Sequence, residues 1–183
     1  MDNTLIYIIL VVILIINFII FFIYNKLIRL QNKVKKAKAD IEIYLNKRFD
    51  LIPNLVETVK GYSKYEGTTL EEITALRSNY ENGNNLSIKD AEKMNTKLNK
   101  FLAIVENYPE LKANTQYLSL QTELRTIEDQ LGIARQKYNN DVTSYNTTIE
   151  TVPSNIVASI FSFKKAELFQ AEENRKGNIE IKL

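Results

Sequence analysis

Nineteen residues near the start of the chain, Leu5 to Ile23, read LIYIILVVILIINFIIFFI, with no charge and a single polar side chain, Asn17. At 1.5 Å per residue such a run forms about 28 Å of helix, close to the hydrocarbon thickness of a bilayer. A cleaved signal peptide would carry basic residues before the run and small residues at a cleavage site. Here Asp2 precedes the run and Tyr24-Asn25-Lys26 follows it. A core helix of a soluble domain is rarely so long without a charge. The run therefore predicts an uncleaved membrane anchor over residues 1–25, with a helical domain over 26–183.

Charge sets the expected orientation. No Lys or Arg precedes the run, whereas Lys26, Arg29, Lys33, Lys35, Lys36 and Lys38 all come before the first acid after it, Asp40. Basic flanks stay on the cytoplasmic side, so the short N-terminus is expected outside and the helical domain inside, at the cell membrane. The same cluster has a second use. Lys33, Lys35, Lys36 and Lys38 are candidates for contact with anionic lipid headgroups.

The rest of the chain has the periodicity of helices. Leu30, Val34, Ala37, Ile41 and Leu45 form one stripe that continues the membrane helix, and Ile52, Leu55, Val59 and Tyr62 resume it. Pro53 lies between. A proline removes a backbone donor and crowds the preceding turn, so the spacing favours a new helix starting near Asp50, with Pro53 in its first turn, over a kinked single helix.

Leu70, Ile73, Leu76 and Tyr80 predict a further helix closed by Asn82-Gly83-Asn84-Asn85. Ser87 with Asp90 resembles a capping box for the stripe Ile88, Ala91, Met94, Leu98, Phe101 and Val105, which Tyr108-Pro109 stops. The longest stripe is Tyr117, Leu120, Leu124, Ile127, Leu131, Ala134, Tyr138, Val142, Tyr145 and Ile149, in steps of three and four. It predicts a helix of about nine turns at 3.6 residues each, ended by Pro153 and weakened slightly at Gly132. A shorter amphipathic piece is expected from Asn155 to about Phe169, and a weakly alternating tail from Asn178 to Leu183.

Heptad-like stripes of this kind must be buried against one another, and short connections favour antiparallel neighbours. The expected fold class is all-α: one N-terminal transmembrane helix followed by an antiparallel bundle of long helices.

Function classes are narrowed by what is missing. The chain has no cysteine and no histidine. That removes thiolate chemistry, Ser-His triads and histidine phosphotransfer, and makes a transition-metal site improbable. The balance of 24 basic and 22 acidic residues lacks the basic excess of a nucleic-acid binder. Paired carboxylates such as Glu57 and Glu106 would need a shared cleft, which narrow stripes do not offer. No catalytic residue, cofactor, metal or small-molecule substrate is expected.

One block does carry polar groups into the stripes. Arg48 falls where an apolar residue is wanted, and Asp50, Asn54, Glu57 and Lys60 follow it. These five are candidate interaction residues, for a partner or a headgroup. The alternative is a charge-paired junction that fixes helix packing, since a buried charge requires a partner.

The same block, IEIYLNKRFDLIPNLVETVKGY over 41–62, resembles the signature stretch of the LemA family. Further blocks agree in order and spacing: Glu106 to Asn114 (ENYPELKAN), Leu120 to Leu124 (LQTEL), Ala134 to Asn139 (ARQKYN), then Tyr145-Asn146 and Pro153. The resemblance spans nearly the whole chain. A tryptophan common in relatives near Lys38-Ala39-Asp40 is missing here. The resemblance implies one N-terminal membrane segment, an all-helical bundle, no established enzymatic activity and an association with envelope stress. The expected partners are the membrane, further copies of the chain as a homo-oligomer, and an envelope protein. The expected role is a self-associating scaffold, with lipid binding through the basic cluster as the alternative.

Overall fold

Helix α1 spans Asn3–Asp50, 48 residues without interruption. The computed structural model describes residues 3–60, 88–105 and 113–169, with the side chains of 60, 88–94 and 104–105 outside that description. Within these, α2 is Ile52–Lys60, α3 Ile88–Val105, α4 Thr115–Glu150 and α5 Ser154–Ile160. The fold is all-helical, a long apolar N-terminal helix followed by further helices. The helix at 70–80, the loop at 82–85, the capping Ser87, the stop at Tyr108-Pro109, Glu106 and the tail at 178–183 lie outside the described residues.

The chain divides into two units, Met1–Asp40 with Ala134–Leu183, and Ile41–Ile133. In the first, α1 and α4 run antiparallel. Gln31 neighbours the Tyr145 hydroxyl, and further along α1 Asp40 meets Lys137 at 3.0 Å. Leu27, Val34, Ala37, Tyr138, Val142, Tyr145 and Ile149 are buried there, joined by Val157 and Ala158 of α5. Before this core begins, the side chains from Asn3 to Ile19 are exposed without exception, as befits a helix whose surroundings are lipid. Asn17 turns its amide back onto the carbonyl of Ile13 at 2.9 Å, so the polar residue of the run is served within its own helix.

In the second unit Ile41, Leu45, Phe49, Ile52, Leu55, Leu98, Phe101, Tyr117, Leu124 and Leu131 are buried. All ten residues of the long predicted stripe are buried across the two units. The break between α1 and α2 falls at Leu51, with Pro53 in the first turn of α2 as the sequence predicts, and the Leu55 N–H donates to the Leu51 carbonyl at 3.0 Å. Asn114 caps α4, its Oδ1 accepting from the N–H groups of Gln116 and Tyr117 at 2.8 and 3.0 Å.

The C-terminal piece differs from expectation. The helix predicted from Asn155 to Phe169 stops at Ile160. Phe163 N–H donates to the Ala158 carbonyl and Ser162 N–H to that of Ser159, at 2.9 and 3.2 Å. Ser162 between them has φ 56°. This is the Schellman geometry, a left-handed residue that turns the chain away and satisfies the last carbonyls. Residues 163–169 then continue without regular structure.

Candidate functional site

Two polar arrangements interrupt the cores, one in each unit. In the second unit Arg48 is only 2% exposed. It lies on the apolar face of α1, one turn beyond Leu45, where helical periodicity turns its side chain inward. Its Nη1 donates to Asn95 Oδ1 and to Glu128 Oε2, and its Nη2 to Asn99 Oδ1 at 2.7 Å. Asn95 and Asn99 are one turn apart on α3, and Glu128 comes from α4. One guanidinium thus ties three helices, its fork matched by two amide oxygens and a carboxylate that is 35% exposed.

The structure places the other residues of the signature block differently. Asp50, Asn54 and Glu57 are exposed. Lys60 has its backbone in α2 and its side chain outside the described residues. The hydrogen bonds described for Arg48 go to Asn95, Asn99 and Glu128, none of which stood out in the sequence. Asn95 follows Met94 of the predicted stripe, and nothing local shows which helix faces Arg48.

In the first unit, residues 163–169 form a strap along α4, pinned at four points. Tyr145 and Tyr138 hydroxyls donate to the carbonyls of Lys164 and Glu167, each at 2.9 Å. Asn146 donates to the Ala166 carbonyl and accepts from its N–H, at 2.8 and 2.9 Å. Asn139 does the same with Phe169, at 3.0 and 2.7 Å. The Tyr-Asn pair recurs after seven residues, two helical turns, so both pairs meet the strap on one face. Arg135 lies over the Phe169 ring at 4.9 Å. Burial pushes both tyrosine hydroxyls above their ordinary pKa; the Glu167 carboxylate adds to the rise at Tyr138, and the neighbouring Gln31 side chain opposes it at Tyr145.

The basic cluster lies on the α1 segment of this unit. Lys26, Arg29, Lys33, Lys35, Lys36 and Lys38 are exposed, and the nearby Asp40 is paired with Lys137. Around Arg48 side chains meet side chains, whereas along α4 side chains hold the backbone of the strap. Among the described residues no group of three or more acidic side chains could hold a metal ion.

Comparison with known proteins gives this helical architecture a lineage. The LemA family profile matches residues 37–183. Protein LemA of Metamycoplasma hominis is 29% identical over 170 residues, covering 88% of this chain and 77% of its own length. A magnetosome protein, MamQ 2 of Paramagnetospirillum magneticum, is 26% identical over 176 residues, covering 80% of this chain and 64% of its own. A MamQ protein of Magnetospirillum gryphiswaldense is 22% identical over 174 residues with the same coverage. The chain thus spans less than two thirds of the magnetosome relatives. None of these relatives carries an enzymatic name. With its apolar N-terminal helix, this membrane-associated helical protein belongs to the LemA family.

Proposed function

We propose that the chain is a single-pass membrane scaffold without catalytic activity, its N-terminus outside and its helical body on the cytoplasmic side, with copies associating at the membrane. The observation that carries this reading is the continuity of α1. One helix passes from side chains exposed throughout Asn3–Ile19 to core residues beginning at Leu27, with no loop between. A continuous helix couples an anchor rigidly to what it carries, which suits a scaffold better than a flexible tether does. Orientation is supported by the six basic residues that follow the run and the absence of any before it. The magnetosome relatives are named for a cellular body and not for a reaction, which agrees with a structural role. Association is supported by Ile43, Leu118 and Ile133, which are 50%, 44% and 60% exposed. The envelope role implied by family resemblance would follow from this location.

Absence of cysteine makes the topology directly testable. Asn3→Cys is expected to react with an impermeant maleimide in intact cells, and Gln136→Cys only after lysis. The opposite pattern rejects the orientation. Light scattering of the full chain in detergent is expected to give a defined multiple of the 21.2 kDa protomer. A monomer at every concentration rejects self-association and leaves the anchor.

The basic cluster favours a second reading, contact with anionic headgroups. Along a straight helix Lys26 and Arg29 stand roughly 5 and 9 Å past Ile23, and Lys33 to Lys38 roughly 15 to 22 Å, at 1.5 Å per residue. With screening over about 8 Å, first contact falls to Lys26 and Arg29, and Lys33, Lys35, Lys36 and Lys38 add a weaker, longer-range attraction. Enrichment of phosphatidylglycerol around the reconstituted chain is therefore expected to fall more with Lys26→Gln/Arg29→Gln than with the four-lysine replacement. Equal loss, or the reverse order, rejects this division of labour.

A further inference from the structure

Resting on the reading of residues 5–23 as a membrane span, we infer that the corner between α4 and the strap, Val152 to Phe161, is a second membrane contact. It inserts its apolar side chains into the headgroup–acyl boundary of the monolayer from which α1 emerges. Val152, Ile156, Ile160 and Phe161 are 78%, 58%, 65% and 49% exposed. Ile156 and Ile160 are one helical turn apart on α5, while Ser154, Val157 and Ala158 on its other side are buried. The element is apolar on its inner face and again on its outer one, where Ile156 and Ile160 are uncovered, an arrangement that water alone would not favour.

What covers that face follows from its position on α1. The Phe161 ring lies 4.8 Å from that of Tyr24, and Phe163 lies 5.9 Å from it. Tyr24 is the first residue after the apolar run. The antiparallel pairing of Gln31 with Tyr145 and Asp40 with Lys137 carries the C-terminal end of α4 toward the same level. Burial on α1 also begins earlier than the end of the run. Ile20, Ile23 and Tyr24 are half-buried, whereas Asn3 to Ile19 are exposed. Protein therefore covers α1 about one turn inside its apolar run, roughly 6 Å at 1.5 Å per residue. That is the depth at which interfacial amphipathic helices seat.

The surroundings suit a headgroup boundary. Tyr24, Phe161 and Phe163 are aromatic rings of the kind that concentrate there. Lys26 and Arg29 on α1, and Lys164 and Lys165 after α5, are exposed cations close by in sequence to these rings. Lys165 is paired with Glu150. An α1 that only passed through the bilayer would be free to tilt; a second contact fixes the rotation and tilt of the emerging helix.

The chain has no tryptophan, so a single introduced one reports its own depth. The full chain is reconstituted in vesicles of phosphatidylcholine and phosphatidylglycerol, with lipids brominated either near the headgroup or deep in the acyl chain. Ile156→Trp is the reporter, Ile13→Trp the reference for the span, and Gln136→Trp the aqueous reference. We expect blue-shifted emission from Trp at 156 and stronger quenching by the shallow bromines than by the deep ones. Trp at 13 is quenched by the deep ones, and Trp at 136 by neither. Should Trp at 13 be quenched while Trp at 156 is not, the corner does not touch lipid and the inference is overturned. Blue-shifted emission at 156 without quenching means that protein, such as a second copy, covers the face, and overturns it equally. If Trp at 13 escapes quenching, the span itself fails and takes the corner with it. Circular dichroism of each variant checks that helicity is retained.

Discussion

Asn146 and Ala166 exchange two hydrogen bonds, the amide of one serving both the N–H and the carbonyl of the other at 2.9 and 2.8 Å. A side-chain amide used in this way replaces the strand partner that an extended segment would otherwise need, since unpaired backbone groups are costly where water is excluded. Asn139 repeats the device two turns earlier on Phe169. The strap is thus held at these points through its backbone.

Asn146→Ala removes both bonds at Ala166. At about 1 kcal/mol for each net hydrogen bond, a loss of roughly 2 kcal/mol is expected, somewhat less where the freed groups reach water. Hydrogen exchange should quicken at Ala166 before it does in the middle of α4. Uniform acceleration along α4 would show that the strap is not a separate unit of stability.

How much of this was legible in the sequence depends on whether the cause was local. The ten buried positions of the α4 stripe were readable because burial on one face imposes a period, and Pro53 marked the end of α1 because its missing donor is a local fact. Ser162 gave no such sign. A left-handed turn at a helix end is normally announced by glycine, and here serine occupies it with φ 56°, so α5 looked longer than it is. Arg48 was visibly out of place, but Asn95, Asn99 and Glu128 are 47, 51 and 80 residues away. Their meeting depends on the register between helices, which side-chain periodicity does not encode. Tyr138 and Tyr145 stood in the sequence as members of the apolar stripe and Asn139 and Asn146 as resemblance alone, because the partners of all four are backbone atoms and leave no side-chain signature.

Ser162→Gly should stabilise the protein. A left-handed conformation costs a side-chain-bearing residue roughly 1–2 kcal/mol, of which glycine's greater freedom when unfolded takes back about 0.5–1. A net gain of about 0.5–1 kcal/mol is expected in chemical unfolding. A loss would mean that the serine makes an interaction worth more than the strain.

Gly132→Ala is a second stabilising change, for a different reason. Gly132 lies within α4, and a methyl group built there meets nothing within 4 Å. Helix propensity then acts without steric penalty, and up to about 1 kcal/mol is expected. A melting point that does not rise would show that α4 is not limiting for unfolding.

Alkaline pH should loosen the strap. The hydroxyls of Tyr138 and Tyr145 have pKa values raised above the ordinary phenol, so the folded state holds protons that the unfolded chain releases near pH 10. Their contribution is full below about pH 10 and is lost as pH rises through the folded-state values, each group contributing a slope of at most about 1.4 kcal/mol per pH unit. The Tyr138→Phe/Tyr145→Phe variant should be less stable at neutral pH yet lose less between about pH 10 and 12. Parallel alkaline profiles for the two proteins would show that other groups govern the loss.

The Arg48 cluster makes an asymmetric prediction. Arg48 is 2% exposed and its carboxylate partner Glu128 35% exposed, so the two ends of the pair do not cost the same when orphaned. Arg48→Leu leaves a carboxylate that can turn to water and places an apolar side chain on an apolar face; about 1–2 kcal/mol of destabilisation is expected. Glu128→Leu takes a described carboxylate partner away from a guanidinium in the core, and breaking a buried pair on that side costs about 3–5 kcal/mol. Half-exposure of the carboxylate puts the expected loss toward the lower end of that range. Urea unfolding of the single and double variants measures both losses and their coupling. Helicity should be retained in both. If Arg48→Leu instead leaves stability unchanged while abolishing association or capture of a membrane partner, the guanidinium is a recognition group and not a packing junction. A larger loss for Arg48→Leu than for Glu128→Leu would mean that the buried cation, and not the ion pair, holds the three helices together.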